Sequence, residues 1–194
     1  MEQPEVLEFA LRVLEAQQVA YMVVGSVASM AYGEPRMTRD IDIVVDLRPH
    51  QVPTFIAEFA RNPDFYLSPP AITSAVEKGT MFNIIHATSG NKLDFMPSRR
   101  DAWGKERFAR RRRIPLTGKV VGYVASPEDI VLGKLWYHSL GDSEKHLRDI
   151  AGMLPVSGDK IDRSYIERWV SDLGYQQSWE AAQALEQSGD QSAD

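Results

Sequence analysis

The chain contains no cysteine, so it has no disulfide, no thiolate metal site and no thiol nucleophile. That composition fits a reducing compartment, and the expected location is the cytoplasm. No apolar run approaches the roughly 18–20 residues needed to cross a bilayer, so no membrane partner is expected. The N-terminal stretch has neither the basic nor the apolar region of a secretory leader. Internal repeats and low-complexity linkers are also lacking. A net charge of −5 argues against a general nucleic-acid coat. The charge is uneven, however. Between Arg99 and Arg113 stand Arg99, Arg100, Lys105, Arg107, Arg110, Arg111, Arg112 and Arg113 against only Asp101 and Glu106, whereas the last fifteen residues carry four acids and no base. An acidic chain with one strongly basic stretch implies a local anion site. At 194 residues it can build one good core, or one core with a helical appendage.

Periodicity divides the chain near Ser126. Before that point the pattern alternates. Apolar residues at helical spacing over Pro4–Gln17 precede a short buried strand, Tyr21–Val24. Gly25 ends the strand, and Ser26 is the expected N-cap of a helix over Val27–Tyr32, broken by Gly33–Arg36. A second strand runs Asp40–Leu47, followed by a helix over His50–Asn62, a short strand at Phe65–Leu67 and a helix over Pro69–Glu77. Met81–His86 and Lys92–Met96 read as a hairpin. A helix at Trp103–Arg110 and a strand at Val120–Val124 close this half. Beyond it everything reads as helix: Ser126-Pro127-Glu128-Asp129 is a strong start signal, and helices are expected to Leu140, over Glu144–Leu154, Asp162–Leu173 and Gln176–Gln187. The expected organisation is an α/β core over residues 1–125 and a helical region over 126–194.

The chemistry centres on Asp40 and Asp42. A strand alternates faces, so the two carboxylates share one face while Ile41, Ile43 and Val45 enter the core. Carboxylates that close repel unless a cation lies between them, and a hard divalent ion with oxygen ligands, magnesium, is the natural occupant. In the second hairpin arm Leu93 and Phe95 alternate with Lys92, Asp94 and Met96, which makes Asp94 a candidate third carboxylate. Gly25-Ser26 lies at a strand-to-helix turn, where backbone amides, the helix dipole and a serine hydroxyl favour an anion. A phosphate cradle beside carboxylate-bound magnesium is what nucleotidyl transfer requires. The run Arg110–Arg113 suits either a solvated surface or phosphate contact; on a strand, Arg110 and Arg112 would face one way and Arg111 and Arg113 the other. His86 is read as the end of a strand and left out of the active set.

The order apolar strand, Gly25-Ser26, short helix, Thr38-Arg39-Asp40-Ile41-Asp42 resembles the DNA polymerase β-like nucleotidyltransferase superfamily. More narrowly, the chain looks like bacterial stand-alone nucleotidyltransferases related to AbiE-type toxins. That likeness is carried by Ser74–Glu77, Phe82–His86, Lys92–Phe95, Phe108–Arg111, Ser126–Leu135, Ser143–Asp149 and Tyr165–Trp169. The resemblance implies an α/β (α+β) nucleotidyltransferase fold with a mixed sheet flanked by helices and a C-terminal helical region. It implies that Asp40, Asp42 and Asp94 bind Mg2+ or Mn2+ and carry catalysis, and that Gly25 and Ser26 hold the NTP. Lys134 and Asp149 match nucleotide-site positions of the toxin relatives, and Arg39 is grouped with them. Without the family, Lys134 would read as a snorkelling lysine and Asp149 as a helix partner of Lys145. The implied reaction moves a nucleoside monophosphate to a hydroxyl, with an RNA or tRNA end as the acceptor suggested by the relatives and an antitoxin as protein partner. The alternatives are a small-molecule (antibiotic) nucleotidyltransferase and a non-catalytic nucleotide- or partner-binding module on the same fold.

Overall fold

The computed structural model describes residues 1–32, 38–141, 143–158 and 161–190. The expected break at Gly33–Arg36, Asp142 and the last four residues lie outside these. The chain forms two compact units, one holding the described residues of 1–27 and 38–125, the other those of 28–32 and 126–190. No helix among the described residues is long and apolar enough to cross a membrane.

In the first unit the described strands form one mixed sheet of seven. They are β1 (Tyr21–Val24), β2 (Asp40–Val45), β3 (Phe65–Tyr66), β4 (Phe82–His86), β5 (Asn91–Pro97), β6 (Arg112–Thr117) and β7 (Val120–Val124), in the order β3-β4-β5-β2-β1-β7-β6. β1 runs antiparallel to β2, whereas β2 and β5 are parallel, as are β1 and β7. Helices α1 (Gln3–Ala16), α3 (Val52–Ala60), α4 (Pro69–Lys78) and α5 (Ala102–Ala109) accompany the sheet, and α2 (Gly25–Met30) follows β1. Helix α1 buries Val6, Leu7, Ala10, Leu11 and Leu14 at i, i+3 and i+4 spacing. An aromatic cluster fills the core. Phe55 meets Phe95 edge-on at 5.3 Å between ring centroids, Phe82 stacks on Phe95 at 5.1 Å, and Phe9 stacks on Phe65 at 4.9 Å. With Leu93 and Phe95 fully buried, alternation turns Lys92 and Asp94 to the opposite face.

Sequence periodicity does not single out β6. The arginine run is not one strand: Arg110 caps α5, and only Arg112 and Arg113 enter β6. Strand alternation across all four positions therefore does not apply.

The second unit contains α6 (Pro127–Gly141), α7 (Glu144–Ser157), α8 (Arg163–Leu173) and α9 (Gln176–Asp190). The start signal at Ser126 forms as the sequence predicts. Asp129 N–H donates to Ser126 Oγ at 3.2 Å, and the Ser126 hydroxyl donates to Asp129 Oδ2 at 2.8 Å. Tyr165 from α8 donates its hydroxyl to Asp129 Oδ1 at 2.9 Å, so this buried carboxylate joins two helices. Hydrogen bonds to a charged group contribute about 1.5–3 kcal/mol each, and Asp129→Ala removes at least two. A loss of roughly 3 kcal/mol or more is expected in urea melts; a loss under about 1 kcal/mol would show that this carboxylate is not the joint.

Candidate functional site

β1 ends at Val24, opposite Asp42 on β2. The next residue, Gly25, has φ +63, and a Cβ there would sit 2.7 Å from Asp42 Cγ and nearer still to Oδ2. Both the left-handed backbone and the approach of the carboxylate demand glycine. Because Gly25 turns the chain straight into α2, the helix begins at Gly25 and Ser26 lies inside its first turn instead of capping it. The helix also stops at Met30, two residues short of the expected end.

On the other side of β2, the parallel register sets Asp42 opposite Asp94 and Asp40 opposite Lys92. The register of three neighbouring strands thus sets Val24, Asp42 and Asp94 abreast, and Gly25, the first residue past β1, packs against Asp42. Ile41 and Ile43 on β2 and Leu93 and Phe95 on β5 are fully buried and anchor the row from the far face. The side chain of Asp94 is only 9% exposed, and its Oδ1 has no hydrogen-bond partner. Asp40, first residue of its strand, has a side chain 58% exposed.

The expected three-carboxylate cage is not drawn together. Among the described residues no three His, Cys, Asp or Glu side chains stand close enough to form a ready metal site. A lysine stands between two of the carboxylates: Lys92 Nζ lies 2.9 Å from Asp94 Oδ2 and 3.5 Å from Asp40 Oδ1. The hydrogen bond to Asp94 raises the Lys92 pKa, burial opposes it, and the charges of Asp94 and Asp40 add to the rise. Sequence reasoning passed over Lys92, although its place two residues before Asp94 puts both on one face. Arg39 is exposed, with its guanidinium beside Gly90 in the turn between β4 and β5, while its carbonyl accepts from Lys92 N–H at 3.0 Å.

Lys134 and Asp149 belong to the second unit and pair with each other at 2.7 Å. Lys134 is no snorkelling lysine, since its side chain is 6% exposed, and the partner of Asp149 is Lys134 on α6, not Lys145 one turn away. His146 lies nearby, its ring stacked on Tyr137 at 5.8 Å. Burial and then the Lys134 charge depress its pKa, against the pull of Asp149; Lys145 and His138 add to the depression. An unfolded chain therefore takes up this proton first as pH falls. The neutral imidazole contributes stability that is complete above the ordinary value of 6.5 and is lost as pH drops through the lower folded value. Thermal melts from pH 7.5 to 5 should fall less steeply for His146→Gln than for the parent; equal slopes would refute this.

The basic stretch is divided among other tasks. The Arg111 guanidinium donates to the Phe108 carbonyl and lies over the rings of Phe108 and Tyr123. Arg111 and Arg113 line a cavity of about 340 Å³ with Glu15, Tyr21 and Tyr123, at the end of β1 away from Gly25. It includes none of the expected catalytic residues. There the Tyr21 hydroxyl donates to Glu15 at 2.7 Å, and burial followed by this bond raises the Tyr21 pKa. His86 is fully buried, bonded through Nδ1 to Ser89 Oγ at 2.8 Å and edge-on to Phe65.

The overall fold has counterparts among solved structures. The chain is similar to an antigenic nucleotidyltransferase-like protein from Paracoccidioides brasiliensis, with a TM-score of 0.53 over 93% of this chain and 92% of that one at 16% identity. This is the nucleotidyltransferase fold. A second solved structure, ANT(2″)-Ia in complex with adenylyl-2″-tobramycin, matches at a TM-score of 0.50 over 96% of this chain and 98% of that one, at 12% identity. At these identities the likeness is one of fold. The sequence itself matches no family model and no curated protein.

Proposed function

We propose that the chain is a divalent-metal-dependent nucleotidyltransferase, moving a nucleoside monophosphate from an NTP to a hydroxyl with release of pyrophosphate. The observation that carries this reading is the pairing of Asp42 with Asp94 across β2 and β5, with the Gly25 turn at the end of β1 packed against Asp42. Magnesium or manganese suits the donor set, because hard ions take carboxylate oxygens. A further support is Asp94 Oδ1, a buried carboxylate oxygen without a partner, which is costly unless a cation or a donor reaches it. Asp42 and Asp94 would hold the ion, joined by Asp40. When bound, such an ion neutralises phosphate charge and favours the ionised acceptor.

The residues of the chain would supply the rest. Gly25 lets a triphosphate approach the backbone, and the Ser26 amide and hydroxyl would donate to its oxygens. The Asp94 carboxylate would accept the proton of the acceptor hydroxyl. The acceptor oxygen then bonds to the α-phosphorus while the bond from that phosphorus to the bridging oxygen breaks, and the electron pair leaves with pyrophosphate. For Lys134, Asp149 and Arg39 a nucleotide role rests on the resemblance alone. The resemblance to toxin nucleotidyltransferases favours an RNA end as acceptor and an antitoxin as partner, whereas the tobramycin adduct on ANT(2″)-Ia favours an aminoglycoside.

Each α-labelled NTP, incubated with magnesium and with tRNA, an aminoglycoside or the protein alone, tests the proposal. Label should pass to one acceptor with equimolar pyrophosphate, and chelation of the metal should stop it. A nucleotide-induced thermal shift with no pyrophosphate from any NTP or acceptor would identify a binding module instead.

A further inference from the structure

Lys92 has no part in the reaction as described, yet its ammonium touches two of the three proposed metal ligands. It pairs with Asp94 at 2.9 Å and with Asp40 at 3.5 Å, and the β2–β5 register sets it directly across from Asp40. A magnesium ion needs carboxylate oxygens at about 2.0–2.1 Å in near-octahedral array. An ammonium already drawing on Asp94 Oδ2 and Asp40 Oδ1 competes for the same oxygens, and two cations so close repel. The lysine is able to leave. Its side chain is 36% exposed on a flexible four-carbon stem, and its three donors suit any phosphate oxygen nearby.

We propose that Lys92 is a built-in counter-cation that opposes free metal at Asp40 and Asp94 and transfers to the triphosphate when nucleotide arrives, so that metal and nucleotide bind cooperatively. The inference rests on the metal-binding reading above. Linkage requires the coupling to be reciprocal: nucleotide tightens metal as much as metal tightens nucleotide. The device would keep the site from filling with metal before a substrate is present.

Manganese binding to the full chain, followed by electron paramagnetic resonance, tests it. Titrations run with and without a mixture of non-hydrolysable NTP analogues and are corrected by protein-free titrations. The parent should bind Mn2+ roughly 10-fold or more tighter with analogue than without, within the range usual for coupled sites. Lys92→Gln and Lys92→Met should bind Mn2+ alone about 10-fold tighter than the parent and lose most of the coupling, whereas Lys92→Arg, which keeps the charge, should behave like the parent. A folded Gln or Met variant that binds free Mn2+ no tighter, or keeps full coupling, overturns the proposal. So does a parent whose Mn2+ affinity ignores the analogue, a result that stands whether or not any variant folds. Failure of the underlying site would look different: Asp94→Asn and Asp42→Asn would then bind Mn2+ like the parent under both conditions.

Discussion

Asp42→Asn should lower the rate of nucleotidyl transfer by roughly 10²–10³-fold, the scale seen when one well-placed electrostatic group is removed from a reaction centre. The amide has the volume of the carboxylate, so the close packing against Gly25 is kept and the melting temperature should move little. What changes is the charge: a hard cation loses an anionic ligand in the middle of the row. Asp94→Asn should cost a similar factor, because it removes both a ligand and the proposed proton acceptor. The double variant should be little worse than either single one, since groups that act as a unit are not additive. Asp40, exposed at the strand start, should matter less. Turnover measured beside a thermal melt separates chemistry from folding. A folded Asp42→Asn variant within about 3-fold of the parent would remove Asp42 from the mechanism.

Gly25→Ala should damage both stability and activity. Gly79 provides the control, because its φ of +66 is nearly the same while nothing lies within 4 Å of a Cβ built there. Gly79→Ala therefore carries the left-handed strain alone, about 1–2 kcal/mol. Gly25→Ala carries that strain plus a collision with Asp42, and overpacking adds about 1–3 kcal/mol. Relief must come from moving Asp42 or the turn, and a shift of about 1 Å at a reacting centre costs on the order of 10²-fold in rate. Urea melts of the two variants, with turnover for each, check the prediction. Equal destabilisation by both, or unaltered turnover in Gly25→Ala, would mean that the contact between Gly25 and Asp42 has no consequence.

The parts of this site visible in the sequence are those set by local periodicity. Asp40-Ile41-Asp42-Ile43 declares a strand with one polar and one buried face, and Leu93-Asp94-Phe95 does the same, so the exposure of each carboxylate to a common side was legible. Their adjacency was not. Asp94 reaches Asp42 through the parallel pairing of β2 with β5, and two α-helices, a short 3-10 helix and two strands intervene along the chain. No local pattern encodes such a crossover. Lys92 escaped notice for the same reason. A lysine on the polar face of a strand is ordinary until its cross-strand neighbour proves to be Asp40.

Strand β6 was obscured by its composition, since arginines and Pro115 suit only an edge strand, where one side of the backbone needs no partner. Lys134 misled in another way. Helix α6 buries Pro127 through Leu132 almost continuously, then Lys134 and Leu135, so it offers no single apolar stripe from which to judge exposure. The helix starts at Ser126 and Asp162 were readable because caps are written in two or three adjacent residues. Ser126 and Asp162 accept backbone amides from Asp129 and Tyr165.

Anomalous diffraction from crystals grown with Mn2+ and a non-hydrolysable NTP analogue would locate the metal and the triphosphate. A manganese peak ligated by Asp42 and Asp94 is expected, with the triphosphate against Gly25 and Ser26 and the α-phosphorus beside the metal. A triphosphate bound with its metal away from both aspartates would contradict the proposed metal site.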